Sequence, residues 1–186
     1  MAGVTIASPY DEHELRRLMY TASLPGHGVF VIRYPRGNGH LVDPYCPFSE
    51  IPVGRGRCLK AGKDLALLTL GPIGHTAAEA IAAYESNHPD ISIAHYDMRF
   101  VKPLDAQLLD EVAQRFDRII TLEDGVVAGG MGSAILEYFS EKGHVPRLKR
   151  LGVPDEFVEH GKPEELYHLL GMDRQGVEAA IAEILS

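Results

Sequence analysis

Runs of apolar residues alternate along the chain with stretches in which apolar positions recur every three or four residues. A short unbroken apolar run is typical of a strand in a parallel sheet that is covered on both faces, and the longer period is typical of a helix. The runs predict strands at 65–70, 91–96, 119–122 and 148–153, and the periodic stretches predict helices at 73–84, 104–116, 132–142, 163–170 and 174–185. Strands that alternate with helices predict an α/β fold, a largely parallel sheet with right-handed crossovers and helices on both faces.

The start of the chain has a smaller pattern of its own. A short apolar strand is predicted at 4–7, and Ser8 before Pro9 predicts the N-cap of a helix that continues to Ser23. The β-branched and aromatic residues at 29–32 predict a second, buried strand. Because two short strands cannot cover the apolar stripe of this helix, we expect the unit to be mobile, or docked on the rest of the chain or on a neighbouring chain.

Between these two patterns the sequence is rich in Pro and Gly and has no sustained period, which predicts a connector that carries at most a short strand at 54–60. We therefore expect three parts: a first unit at 1–40, a linker at 41–62 and a second domain at 63–186.

Composition narrows the classes of function. The chain has 26 acidic and 18 basic residues and a net charge of −8, which argues against a nucleic-acid partner. Its two cysteines, Cys46 and Cys58, are too few for a disulfide scaffold and predict reduced thiols. There is no apolar run of about 18 residues and no signal-like leader, so we expect no membrane partner and a cytoplasmic protein.

Arg36 is the strongest candidate for binding chemistry. It follows an apolar strand, Pro35 ends the strand, and Gly37 lets the backbone approach a ligand. A guanidinium offers a fixed fork of donors that suits phosphate or carboxylate. The alternative is an arginine paired with a structural carboxylate.

Two further segments lie where an α/β protein places its chemistry. Glu123 and Asp124 end a predicted strand and suggest a general acid or base, against the alternative of a helix cap or a solvated pair. The glycine-rich run 129–132 lies between a strand and a helix, as phosphate-binding loops do. The third small position of a dinucleotide motif falls on the bulky Ile135, so we favour close backbone packing or a domain contact.

The remaining candidates are weaker. His160, Glu164 and His168 are spaced by four like metal ligands, but Pro163 separates His160 from the helix that carries the other two. Ser133 lacks the following glycine of a nucleophile elbow and is interpreted as a helix-start serine. We therefore predict no metal site and no catalytic nucleophile here.

Several segments, taken together and in order, resemble the C-terminal part of the 1-deoxy-D-xylulose-5-phosphate synthase family. They are 33–38 (RYPRGN), 97–105 (DMRFVKPLD), 123–125 (EDG), 129–134 (GGMGSA) and 151–161 (LGVPDEFVEHG). The resemblance runs from about Thr5 to the last residue, and the combination is specific. It implies a transketolase C-terminal-like domain, preceded by the last strand-helix-strand of a pyrimidine-binding domain.

The resemblance also implies a function. Such an enzyme is a homodimeric thiamine-diphosphate transferase that condenses pyruvate with D-glyceraldehyde 3-phosphate with loss of CO2, with Mg2+ holding the diphosphate. Its product feeds isoprenoid and thiamine biosynthesis. Arg36, in the Tyr-Pro-Arg-Gly motif, would bind the phosphate of the acceptor.

The family's Gly-Asp-Gly motif for diphosphate and magnesium and its ring-activating glutamate belong to earlier domains and are not found in this sequence. The resemblance therefore implies no catalytic, cofactor-binding or metal-binding residue in this chain, and we expect the chain alone to be inactive.

Two alternatives stay open. One is the C-terminal domain of another thiamine-diphosphate enzyme, a transketolase or the β part of a 2-oxoacid dehydrogenase; the Pro-Asp-x-Phe-x-x-x-Gly segment at 154–161 favours the synthase. The other is a non-catalytic dimerisation module.

Overall fold

The computed structural model describes residues 2–35, 39, 41, 43 and 45–186. Within these residues the chain forms eight strands and six helices. In chain order they are β1 (Val4–Ala7), α1 (Glu12–Ser23), β2 (Val29–Ile32), β3 (Arg57–Lys60), β4 (Leu65–Leu70), α2 (Ile73–Asn87), β5 (Ile93–Asp97), β6 (Phe100–Lys102), α3 (Ala106–Arg115), β7 (Arg118–Val126), α4 (Met131–Glu141), β8 (Arg147–Val153), α5 (Pro163–Leu169) and α6 (Arg174–Leu185).

The larger sheet has five strands in the order β3-β5-β4-β7-β8. Its last four strands run parallel, and β3 runs antiparallel to β5. All six residues of the central strand β4 are buried, which explains why its sequence is apolar without alternation.

Helices pack on both faces of this sheet. α2 and α6 cover the face that carries Leu65 and Leu67, and α3 and α4 cover the face that carries Ala66 and Leu68. Successive residues of β4 thus enter opposite core layers, as the pleat of a strand requires. This arrangement confirms the predicted α/β fold with a largely parallel sheet.

The smaller sheet combines strands from two distant parts of the sequence. Its order is β2-β1-β6, with β1 parallel to β2 and antiparallel to β6. β6 follows β5 in the chain, so one of the three strands of this sheet comes from the part of the sequence that otherwise forms the larger sheet and its helices. Leu18 of α1, Ile51 and Phe100 of β6 are fully buried in one cluster with Ala7. The start of the chain is therefore docked on the α/β unit.

The start of α1 differs from the prediction. The helix begins at Glu12, and its N-cap is Asp11, whose side chain accepts a hydrogen bond from the Glu14 N–H at 2.8 Å. Ser8 instead donates from its hydroxyl to the Arg33 carbonyl at 2.9 Å. Because Ser8 bonds to the loop after β2, the cap lies one turn later, at the next side chain able to accept.

The prediction that β2 is buried was wrong. Val29 is 60% exposed and Val31 is 43% exposed. β2 is the edge strand of the smaller sheet, and within the described residues no element covers the side that carries these valines.

The short strand expected near 54–60 is present as β3, which pairs with β5. The division into parts at 1–40, 41–62 and 63–186 stays a prediction. In the part of the chain that the structure describes, every helix is too short or too polar to span a bilayer.

Candidate functional site

Strands of both sheets end at one cleft. β1, β4 and β7 reach it with their carboxyl ends, and its volume is about 250 Å³. Ser8, Leu70 and Glu123 are among the residues that line it. In α/β proteins ligands bind outside the carboxyl ends of strands, so the polar groups around this cleft are the first candidates for function.

Glu123, at the floor of the cleft, is a helix cap. Its two carboxylate oxygens accept hydrogen bonds from the N–H groups of Met131 and Gly132, both at 2.8 Å. The negative charge lies at the positive end of α4 and stabilises that helix. Since both oxygens are bound to the backbone, the geometry supports the capping interpretation of Glu123 over a general acid or base.

The glycine-rich run beside it is a place of close packing. A Cβ on Gly130 would lie 2.4 Å from the Val126 carbonyl oxygen, and one on Gly132 would lie 2.5 Å from Thr121 Oγ1. The Glu123 carboxylate also stands where a phosphate would bind at the start of α4. The prediction of backbone packing at these glycines is confirmed.

Asp124 links β7 to α5 and to the loop after β2. Its carboxylate accepts a hydrogen bond from the Tyr167 hydroxyl at 3.0 Å, and its carbonyl accepts one from Arg33 Nη2. Burial, followed by the negative charge of Asp124 and this hydrogen bond, raises the pKa of Tyr167. Asp124 is therefore a structural partner that joins three segments.

Ser133 has the role expected of a helix-start serine. Its hydroxyl donates to the Val127 carbonyl at 2.7 Å and accepts from the Gly129 N–H at 3.0 Å and from Arg150 Nη1 at 2.7 Å. These bonds fold the loop before α4, and a hydroxyl held in this way is not poised as a nucleophile.

The histidines near the end of the chain do not assemble with carboxylates as metal ligands. His168 Nδ1 lies 2.7 Å from an Asp173 carboxylate oxygen, and this hydrogen bond lowers the pKa of Asp173. Across 2–35, 39, 41, 43 and 45–186, no group of three histidines, cysteines or acidic residues is arranged to hold a metal ion.

A buried ionic cluster joins α1 to the larger unit. Arg99 Nε and Nη2 donate to the two Glu14 carboxylate oxygens at 2.7 and 2.9 Å, and the Glu14 side chain is 2% exposed. Arg99 has a φ of 58°, a left-handed conformation that is unusual for a residue with a side chain. The bidentate pair and a bond from the Arg99 N–H to Asp97 hold it there.

Asp97 and His95, on β5, are buried beside this cluster. Arg57 Nε donates to Asp97 Oδ2 at 3.0 Å, and His95 Nε2 lies 2.9 Å from Thr69 Oγ1. Burial raises the pKa of Asp97 to about 6, against the opposing charge of Arg57. Burial also lowers the pKa of His95 to about 4, and the positive charge of nearby His75 adds to this shift.

Sequence reasoning missed this cluster as a unit. Glu14 and Arg99 are 85 residues apart, and no spacing rule connects them. The available signal was the segment at 97–105, which carries the family resemblance and holds two of the buried charges.

Arg36, the predicted phosphate-binding residue, lies outside the described residues, as do its neighbours 37 and 38. Its assignment stays a prediction. The described end of this segment is Arg33, whose N–H donates to the Ala7 carbonyl at 2.8 Å and whose own carbonyl accepts from Ser8.

Comparison with known proteins identifies relatives over nearly the whole chain. Residues 54–177 match the family described as Transketolase, C-terminal domain. The chain is 58% identical over 180 residues to a 1-deoxy-D-xylulose-5-phosphate synthase of Bacteroides fragilis, covering 97% of this chain and 28% of that protein. It is 59% identical over 174 residues to the protein of the same name from Bacteroides thetaiotaomicron, covering 94% and 27%. The chain thus spans just over a quarter of the length of these relatives.

Solved structures agree on the fold. One titled as a split gene transketolase, inactive beta4 tetramer, matches with a TM-score of 0.85 and 31% identity, over 98% of this chain and 58% of that one. A transketolase from Campylobacter jejuni matches with a TM-score of 0.69 and 14% identity, over 98% and 26%, and this likeness concerns the fold alone.

Proposed function

Since this chain belongs to the transketolase C-terminal domain family, we propose that it is the C-terminal part of a 1-deoxy-D-xylulose-5-phosphate synthase. The observation that carries the proposal is the identity of 58% over 180 residues to a protein of that name. The alignment covers 97% of this chain and so extends beyond the family match at 54–177 into the residues before it.

The parent protein would be a transferase that joins pyruvate to D-glyceraldehyde 3-phosphate with release of CO2. Thiamine diphosphate supplies the electron sink for decarboxylation in such enzymes, and protein groups position the substrates. Within this proposal Arg36 binds the acceptor's phosphate, because a guanidinium suits phosphate geometry and the residue follows a strand end.

The described residues of this chain do not fit the diphosphate and its Mg2+. The glycine-rich start of α4 is filled by the Glu123 carboxylate, and the acidic side chains in the described part form no group of three suited to a cation. We therefore assign cofactor and metal binding to other domains of the parent and derive no catalytic step from this chain. The isolated chain would be inactive.

We further propose that the parent is a cytoplasmic homodimer with no membrane or nucleic-acid partner. The net charge of −8 supports the last point. The division into 1–40, 41–62 and 63–186 belongs to the same proposal, with the first part completing a pyrimidine-binding domain.

A transketolase is the second candidate, and a specific observation favours it. The structural match at 31% identity is titled a split gene transketolase. The two candidates differ in their donor, because a transketolase takes its two-carbon unit from a ketose phosphate and the synthase takes it from pyruvate with loss of CO2.

An activity assay on the full-length parent separates them. We expect CO2 release from pyruvate that depends on D-glyceraldehyde 3-phosphate, and no comparable transfer from a ketose phosphate donor. Transfer from the ketose phosphate without CO2 release would establish the transketolase instead. A correctly folded parent that is inactive with both donors would leave the β part of a 2-oxoacid dehydrogenase and the non-catalytic dimerisation module as the remaining candidates.

A further inference from the structure

Among the described residues that line the cleft between the two sheets, Arg33 is the one cation, and we propose that this cleft binds a small aliphatic monocarboxylate. In this site the Arg33 guanidinium holds the carboxylate, and the apolar wall of the cleft covers the carbon chain. The proposal is independent of the reaction proposed above, because it concerns only described residues of this chain.

The position of Arg33 is fixed before any ligand arrives. Its N–H donates to the Ala7 carbonyl at 2.8 Å, and its carbonyl accepts from the Ser8 hydroxyl at 2.9 Å. The side chain reaches across the cleft, where Nη2 donates to the Asp124 carbonyl. Two bonds thus hold the backbone of Arg33 and one holds its guanidinium, and a donor held in place before binding loses less freedom on binding.

Most of the guanidinium stays available. A guanidinium carries five N–H donors, and within the described residues the side chain of Arg33 makes a single hydrogen bond, the one to Asp124. Gly125 gives the group its room, because a Cβ there would lie 2.9 Å from Arg33 Nη1. Arg33 can therefore present a two-donor edge to a ligand carboxylate.

The rest of the lining selects the kind of anion. Arg33 is the only cation among the described residues that line the cleft, and Glu123 places a carboxylate at its floor. A phosphate carries close to two negative charges at pH 7, and the described part of the lining offers it one cation. A carboxylate carries one charge, which one guanidinium balances.

The walls and the size select the body of the ligand. Ala7, Leu70, Val101, Val126 and Met131 contribute apolar side chains to the lining. The volume of about 250 Å³ equals that of roughly eight water molecules. A branched chain of a few carbons fits this space and displaces water from apolar surface.

Amide NMR of the labelled chain during titration with isobutyrate tests the site. We expect saturable shifts at Ala7, Gly125 and Gly129, with a dissociation constant of roughly 1–10 mM. Arg33→Met should weaken binding about tenfold or more, and Arg33→Lys should restore part of it. Gly125→Ala, which keeps the charge but crowds the guanidinium, should also weaken it. Arg174→Met, on the exposed side of α6, is the matched control and should bind normally.

Two further probes, one uncharged and one with close to two negative charges, complete the experiment. Isobutanol has the same carbon body and should bind much more weakly, and inorganic phosphate should not compete. Equal binding of isobutanol, tighter binding of phosphate, or an unchanged affinity in both Arg33→Met and Gly125→Ala would each overturn the proposal. The amide spectra report folding of every variant, so a misfolded Arg33→Met leaves Gly125→Ala to decide.

Discussion

Single side chains hold the polar interior of this molecule together. Glu123 accepts from two backbone N–H groups, and the two oxygens of Glu14 accept from the Nε and Nη2 groups on one edge of the Arg99 guanidinium. A carboxylate buried without such partners would lose several kcal/mol of hydration, so each of these contacts matters more for what its loss would leave behind than for its own strength.

Glu123→Gln should destabilise the chain by about 1–3 kcal/mol, because an amide nitrogen would then face a backbone donor at the start of α4. Urea unfolding of the chain measures the effect. Glu137→Gln, an exposed change on the same helix, should keep the free energy of unfolding within about 0.5 kcal/mol of that of the unsubstituted chain. A loss in Glu137→Gln equal to that in Glu123→Gln would contradict the capping role.

Asp97 and His95 should oppose each other in the pH dependence of stability. The pKa of Asp97 rises to about 6 on folding, so the native state binds more protons and stability falls as pH rises from about 4 to 6. The pKa of His95 falls to about 4, so the unfolded state binds more protons and stability rises from about pH 4 to 6.5. The two effects cover the same window and largely cancel.

Asp97→Asn should therefore reveal the contribution of His95 to the pH dependence of stability. We expect the free energy of unfolding of this variant to increase between pH 4 and 6.5 by about 3 kcal/mol more than that of the unsubstituted chain. Urea unfolding at several pH values measures the slope, and Asp155→Asn, at an exposed position, should keep the slope of the unsubstituted chain. Parallel curves for Asp97→Asn and the unsubstituted chain would refute the opposition.

Arg36→Ala in the full-length parent should reduce kcat/KM for D-glyceraldehyde 3-phosphate by roughly 30- to 1,000-fold and leave the use of pyruvate largely intact. Pyruvate has no phosphate to lose. Steady-state kinetics with each substrate varied, together with a melting curve, measures this. An equal loss on both substrates with a lowered melting temperature would identify Arg36 as a structural ion-pair partner.

At the scale of helices and strands, the elements that could be predicted from the sequence are those whose burial leaves a clear pattern of apolar residues. β4 was predictable because its six residues form a nearly unbroken apolar run, and α2 because its apolar residues recur with the period of a helix over fifteen residues. β6 was missed because it has only three residues and because its partner β1, at Val4–Ala7, is distant from it in the sequence. The burial of β2 was mispredicted because apolar residues at a sheet edge have the same sequence as those in a core.

The candidate site divides in the same way. The contacts of Glu123 and the glycines near Met131 were among the alternatives that the sequence offered, since their partners are about nine residues away. The contacts of Arg33 with Asp124 and of Glu14 with Arg99 span 91 and 85 residues, and only the folded chain brings them together.

Glu14→Gln should loosen β1 selectively. Breaking a buried ion pair costs roughly 3 kcal/mol, and this pair joins α1 to the larger unit. Hydrogen exchange should become at least about tenfold faster in the β1 amides while the β4 amides keep their protection. Glu178→Gln, which removes a surface pair on α6, is the control. Equal acceleration in β1 and β4 would show that the two units unfold as one.

At the scale of the whole molecule, two sheets share one cleft and one interface. The smaller sheet takes its third strand, β6, from the part of the sequence that otherwise forms the larger unit. In turn, Arg99 of that part forms its buried ion pair with Glu14 of α1. The motifs that would hold a thiamine diphosphate are not found in the sequence.

Calorimetric titration of the isolated chain with thiamine diphosphate and Mg2+ should therefore give no saturable heat. A dissociation constant in the micromolar range corresponds to about 8 kcal/mol, which none of the described contacts could supply. Such a result would sink the assignment of the cofactor to other domains. The full-length parent, titrated in the same buffer, is the positive control.

The shared strand also limits how proteins of this architecture can recombine. A chimera that exchanges residues 63–186 between homologues imports β6 and with it one third of the neighbouring sheet. The imported Phe100 must fill the space beside Ala7 and Leu18 of the recipient, and the imported Arg99 must find Glu14. Crossovers just before residue 63 should therefore succeed only between parent sequences that match on both sides of this interface, and Ile51, which is fully buried in it, must match as well.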